Sequence, residues 1–252
     1  MPTGQSEGYD PALFAEIAEL EDGSFWFTER DRLILWALRR YAPGVRSFLE
    51  VGCGTGHVLA AVAGGFPAAG CVGLEPFEEA LAIARRKRPE LDFRLGGADS
   101  LTPGEDFDAI GCFDVLEHIA DDGTAAAAMA AALRPGGTLV VTVPQHRWLW
   151  SDADERAEHV RRYRRRELLA LIEGSGLEIV RCTSFVTTLL PLLAASRLVR
   201  RFRPPEDPLR ELRLSPAAQA ILRPPLAFDR WLIARGASLP AGGSLLLVAR
   251  RR

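Results

Sequence analysis

The chain has 252 residues, 48% of them hydrophobic and 25% charged, with a formal net charge of −2. This is globular composition: it excludes a disordered or fibrous chain, and the length suits one generous domain or a domain with an appendage. Near-neutral charge leaves no electrostatic footprint for nucleic acid. The four cysteines, Cys53, Cys71, Cys112 and Cys182, are scattered without a CxxC pair and read as reduced thiols, not as a disulfide framework or zinc site. The opening MPTGQSEGYD lacks the regions of a secretory signal. The longest apolar run, 185–195, contains Pro191 and is shorter than the roughly 20 residues of a spanning helix. A soluble, cytoplasmic protein is expected.

In chain order, residues 1–45 read as a helical cap, with an aromatic cluster at Phe25, Trp26 and Phe27 ahead of an apolar helix over 31–41. From Ser47 onward, strands are expected at 47–51, 70–75, 91–95, 107–113, 137–143, 177–182 and 244–250. Helices are expected near 56–65, 77–88, 123–133 and 166–173. Several strands are near-continuous apolar runs, as in parallel strands covered on both faces, and the alternation implies a doubly wound α/β sheet. Residues 186–243 form a Leu/Arg/Pro-rich helical insertion, with breaks expected at Pro204-Pro205, Pro208 and Pro224-Pro225. The division is therefore a cap over 1–45, a core over 46–185 plus 244–252, and an insertion over 186–243 that serves as substrate cover or interaction surface.

The first strand runs into Glu50-Val51-Gly52-Cys53-Gly54-Thr55-Gly56 and then a helix. Glycines at such a junction let the backbone approach a ligand and expose helix N-terminal N–H groups. The dinucleotide fingerprint G-x-G-x-x-G would need its third glycine at 57, which is His57, so a nicotinamide-dependent oxidoreductase is disfavoured. The pattern acid-x-G-x-G-x-G resembles the first motif of the class I S-adenosylmethionine-dependent methyltransferases. Four more segments match in order: Glu75-Pro76 closing the second strand, Gly97-Ala98-Asp99-Ser100, Phe113-Asp114-Val115-Leu116-Glu117-His118, and Leu133-Arg134-Pro135-Gly136-Gly137.

The resemblance covers about 46–183 plus the final strand, and implies a seven-stranded Rossmann-like sheet of order 3-2-1-4-5-7-6 with an antiparallel last strand. It implies S-adenosylmethionine as cofactor, and S-adenosylhomocysteine as product, with Gly52, Cys53, Gly54 and Gly56 in the loop. Glu75 and Pro76 would lie at the ribose, Ala98, Asp99 and Ser100 at the adenine, and Phe113 and Asp114 at the fourth strand. Glu50 or the aromatic face of Trp26 can hold the ligand's positive charge, and Arg30 can pair with its carboxylate. A packing role for 25–30 is the competing reading.

Asp114, Glu117 and His118 fall at i, i+3 and i+4, which on a helical turn is one face, and His159 follows the fifth strand. In one reading His118 or His159 is a general base for a hydroxyl or amine. In another, Asp114, Glu117, His118 and His159 hold a divalent cation such as magnesium, similar to ubiquinone-pathway O-methyltransferases, although Asp114 stands where those carry Glu. In a third, the acid caps a helix and the histidine packs.

Arg161-Arg162-Tyr163-Arg164-Arg165-Arg166 reads as a solvated helix start, because 30 of the 31 basic residues are arginine. The apolar stretch within 185–203, followed by Arg197, Arg200, Arg201 and Arg203, suits a peripheral membrane contact, a lid or a homo-oligomer surface. The expected reaction moves a methyl group to oxygen, or secondarily nitrogen, of a small-molecule acceptor such as a secondary metabolite, quinone-like ring or sugar. Lipid-linked or RNA acceptors and a non-catalytic binding module are the alternatives.

Overall fold

A computed structural model describes residues 11–21, 23–200 and 214–252. Two helices, α1 (Pro11–Glu21) and α2 (Phe25–Tyr41), precede an alternating series: β1 (Ser47–Val51), α3 (His57–Gly65), β2 (Gly70–Glu75), α4 (Glu78–Lys87), β3 (Asp92–Leu95), β4 (Phe107–Phe113), α5 (Asp122–Ala132) and β5 (Leu133–Pro144). The chain continues through α6 (Asp152–Arg156), α7 (Arg165–Gly174), β6 (Leu177–Phe185), α8 (Leu190–Arg200), α9 (Pro216–Ala234) and β7 (Ser244–Arg251). The strands form one seven-stranded sheet of order β3-β2-β1-β4-β5-β7-β6. β1 to β5 are parallel, and β7 runs antiparallel between β5 and β6. This is the order that the resemblance implied.

Strand periodicity divides the core in two. Leu49, Val51, Ile110 and Cys112 pack on one face with Met129 of α5 and Leu168 and Ile172 of α7. Phe48, Ala109 and Phe113 pack on the other with α2, α3, α4 and α9. Strand order reverses between β1 and β4, and in open α/β sheets the crevice outside the carboxyl ends at such a point is where ligands bind.

β5 starts at Leu133, four residues before the expected 137, and two helices differ further from the sequence expectation. α2 begins at Phe25, so the aromatic cluster lies inside the helix. The Thr28 amide donates to the Ser24 carbonyl, and the Phe25 amide donates to Gln219 Oε1 of α9 at 3.0 Å. The break at Pro224-Pro225 is absent: both prolines lie inside α9. Tertiary bonds tie that helix to the segment before α8. Thr188 Oγ1 donates to the Pro225 carbonyl, and the Thr187 and Thr188 amides donate to buried Asp229. Pro204-Pro205 and Pro208 lie outside the described residues.

Buried Glu29 joins α2 to α9, accepting from Arg32 at 2.6 Å, Arg230 at 3.0 Å and Arg223 at 3.3 Å. Burial pushes its pKa up, but the arginines outweigh that and hold it below the usual carboxylate value. Its stabilisation is complete above the ordinary carboxylate pKa and is lost as pH falls through the depressed folded value. Glu29→Gln should lower unfolding free energy at pH 7 by about 2 kcal/mol. In chemical melts the gap to the parent should close under acid conditions; a gap independent of pH would contradict this role.

Candidate active site

The glycine loop lies at the carboxyl end of β1, where the reversal opens the crevice. Gly52, Gly54 and Gly56 all adopt positive φ (70°, 51° and 78°). At Gly52 a Cβ would also come within 2.4 Å of Val115, so side chain and backbone both require glycine. Cys53 is buried, and burial pushes its thiol far up, which suits packing rather than nucleophilic chemistry. Glu75, at the end of β2, accepts from the Gly54 amide at 2.9 Å and the Phe77 amide at 3.3 Å. Burial pushes it up to about 7 despite those bonds. Pro76 is exposed beside it, and Ala98 is buried in a short turn that leaves Asp99 and Ser100 exposed.

Glu50 is buried beneath the loop, and its Oε2 has no hydrogen-bond partner among the described residues. Burial first, and then the nearby charges of Asp31, Glu21 and Glu75, push its pKa well up, against the pull of Arg30. Arg30 donates to Asp114 Oδ2 at 2.7 Å, so the guanidinium expected at a ligand carboxylate already has a protein partner. Trp26 stacks on Phe185 at 5.8 Å between ring centroids. Thr55 Oγ1 donates to Glu21 Oε2, Lys87 Nζ donates to the Ala18 carbonyl, and Arg156 pairs with Glu16. α1 thus straps the rim from α4 to α6 across the glycine loop.

On the other side of Phe113, the chain turns sharply. Asp114 has φ 55°, and only Leu116–His118 form the short 3-10 turn that follows. Asp114 therefore does not share a helical face with Glu117 and His118, contrary to the spacing argument, because a left-handed residue redirects the chain at the strand exit. The structure gathers Glu117, His118 and His159, with ligand atoms within 4.8 Å of one another, and leaves Asp114 with Arg30. Glu117 is fully buried and neither carboxylate oxygen has a hydrogen-bond partner among the described residues. Burial, then the charge of Asp114, pushes its pKa well up.

The His118 and His159 rings meet edge to face at 4.7 Å. Burial, then the proximity of His159, lowers His118 to about 4, so this imidazole is neutral at pH 7. His159 Nδ1 lies 2.8 Å from Asp154 Oδ1. Asp154 is itself fixed by the Ser151 amide and hydroxyl and by Arg162 Nε at 2.7 Å. These bonds hold its carboxyl well below the usual range although burial opposes them. An aspartate locked in this way selects the tautomer with the proton on Nδ1 and leaves Nε2 as acceptor.

Residues 23–181 match the family model described as a methyltransferase domain. The chain belongs to the class I S-adenosylmethionine-dependent methyltransferases. It is 38% identical over 136 residues to a dTDP-3-amino-3,6-dideoxy-alpha-D-glucopyranose N,N-dimethyltransferase of Streptomyces fradiae, covering 50% of this chain and 52% of that protein. It is 35% identical over 109 residues to a ubiquinone biosynthesis O-methyltransferase of Thiobacillus denitrificans, covering 40% and 46%. The chain thus spans about half the length of these curated relatives. In fold it is similar to phosphoethanolamine N-methyltransferase 2 of Haemonchus contortus, with TM-score 0.64 and 16% identity over 98% of this chain and 58% of that one.

For this methyltransferase, the unpartnered oxygen of Glu50, the raised Glu75 and the glycine cradle fit a cationic ligand with hydroxyl donors. Sequence reasoning missed Asp154, Arg162 and Glu21. For Asp154 a signal existed, since Ser151-x-x-Asp154 has the spacing of a helix capping box, which the structure forms. Nothing local marks Glu21, whose partner Thr55 is 34 residues away.

Glu75 also carries a cost with a definite sign. A carboxyl raised in the folded state destabilises it as pH climbs from the ordinary carboxylate value to about 7, and the penalty is complete above that. Without ligand, Glu75→Gln should melt higher than the parent at pH 8, by an amount on the order of 2 kcal/mol, with a smaller difference at pH 5. It should also weaken S-adenosylhomocysteine binding. Calorimetric melts and titrations check both; an advantage over the parent no larger at pH 8 than at pH 5 would contradict the burial penalty.

Proposed function

We propose that the chain transfers a methyl group from S-adenosylmethionine to a hydroxyl oxygen of a small molecule, with His159 as general base and Asp154 as its positioning residue. The observation that carries this reading is the Asp154–His159 pair at the carboxyl edge of the sheet. When bound, S-adenosylmethionine supplies an activated methyl group on a cationic sulfur. Glu50 and Glu75 would hold that cation and its hydroxyls, and the glycine loop would let backbone N–H groups approach it.

The protein's remaining work is alignment, exclusion of water and removal of one proton. A hydroxyl must lose its proton as the oxygen attacks, whereas a neutral amine attacks through its lone pair and sheds its proton later. A base aligned by an aspartate therefore supports oxygen over nitrogen. His159 Nε2 takes the acceptor proton, and Asp154 stabilises the imidazolium formed. His118, neutral at working pH, adds no competing positive charge beside it. The likeness to an O-methyltransferase supports this acceptor class, and the likeness to an N,N-dimethyltransferase keeps nitrogen as the alternative.

A second reading rests on Glu117. A fully buried carboxyl without hydrogen bonds beside two imidazoles is a donor set suited to a divalent cation, which would lower the hydroxyl's pKa. His118 and Glu117 would then be ligands with His159.

Screening hydroxyl acceptors with EDTA-treated protein separates the two. On the base reading, turnover survives chelation; His159→Ala lowers kcat by a factor of ~10²–10⁴ and leaves S-adenosylhomocysteine binding unchanged. Asp154→Asn should lower kcat and alter the pH profile without moving cofactor affinity. Turnover abolished by EDTA and restored by magnesium or another divalent ion would select the metal reading. Normal turnover in His159→Ala would reject both.

A further inference from the structure

The two helices before β7 turn largely apolar faces outward, where a solvent-facing helix carries charge. Every exposed position of α8 with a described side chain is apolar: Pro191, Leu192, Ala195, Leu198 and Val199. α9 turns Leu226, Asp229 and Ile233 inward, and presents Ile221 (72% exposed), Phe228 (51%) and Trp231 (44%) on the opposite side. The Phe228 and Trp231 rings stack at 5.6 Å, and Arg235 lies over Trp231 at 3.8 Å from its centroid. The pair is thus an exposed aromatic plate edged by a cation.

Both helices are anchored. Thr188, just before α8, is bonded to Pro225 and Asp229 of α9, and Arg197 Nε donates to the Leu149 carbonyl in the turn after β5. The apolar faces are therefore fixed features of the rim, on the β5 side of the crevice.

Charge identifies the occupant. Residues 186–243 carry nine arginines against four carboxylates, in a chain whose total is −2, and those with described side chains are Arg197, Arg223, Arg230 and Arg235 against buried Asp229 alone. This segment is strongly cationic and the remainder acidic. Two copies meeting through it would oppose like charges, whereas an anionic surface complements it. No helix among the described residues is long and apolar enough to cross a membrane, so contact through these faces lies on a bilayer rather than through it.

We propose that α8 and α9 form a peripheral membrane-contact surface that seats the chain on an anionic lipid bilayer, apolar faces at interfacial depth and Arg235 at the headgroups. Tryptophan and arginine suit that depth because each joins an apolar body to a polar tip. The contact refines the 185–203 expectation: Phe185 and Val186 are buried, and the membrane face is made by 191–199 together with α9.

The test is co-sedimentation of the full chain with phosphatidylcholine vesicles, with and without phosphatidylglycerol; it needs no turnover, so it stands whether or not the methyl acceptor is correctly read. Binding should require phosphatidylglycerol, weaken with salt, and fall at least about tenfold in Phe228→Ser/Trp231→Ser with an unchanged melting profile. Leu192→Ser/Leu198→Ser provides a second variant, on the other helix, with the same expectation. Protein left in the supernatant with both vesicle types overturns the proposal, as does equal binding to phosphatidylcholine alone. So does a dimer that the variants convert to monomer without any vesicle binding, which would assign the face to a second copy.

Discussion

One buried guanidinium balances the carboxyl edge of this sheet. Arg30 binds Asp114 directly, and its field reaches Asp31, Glu50 and Glu21. Without it, the strand exits would bring several carboxylates into a poorly solvated space with little to offset their repulsion. Its position depends on α2 lying across the sheet, which in turn depends on Leu33, Ile34, Ala37 and Leu38 packing on Phe48 and its neighbours. Packing on one face of the sheet thus sets the electrostatics of the crevice. A cationic ligand there would add a second positive charge to an edge where acids still outnumber bases.

The doubly wound core was legible because parallel strands covered on both faces must be apolar throughout. The runs 47–51, 70–75 and 107–113 match β1, β2 and β4 residue for residue. The glycine loop was legible for a related reason: only glycine tolerates both the positive φ and the approach of Val115. What escaped depends on contacts distant in sequence. The start of α2 rests on Gln219, 194 residues away, and α9, which runs through two internal prolines, is tied to Thr188, 37 residues from Pro225. Local propensity carries no trace of such partners.

The site divides in the same way. Glu50, Glu75 and the glycines follow directly from strand and loop, so position in the sequence locates them. The grouping of Asp114 with Glu117 and His118 assumed a regular helical turn, and the left-handed backbone at Asp114 removes that premise. His159 was visible as a residue type, but its chemistry depends on Asp154, whose own orientation comes from Ser151 and Arg162. A histidine's function is set by what its other nitrogen meets, and that is a property of the fold.

The raised carboxyls of Glu21, Glu50 and Glu75 reach beyond charge balance. Each is displaced toward its protonated form by burial, and a positive ligand placed among them would draw them toward ionisation. Binding there would expel protons into the solvent. Apparent affinity would then climb with pH across the range where these groups titrate, and the heat released on binding would depend on the ionisation enthalpy of the buffer that takes up those protons. Through these three side chains the crevice would couple ligand capture to the acidity of its surroundings.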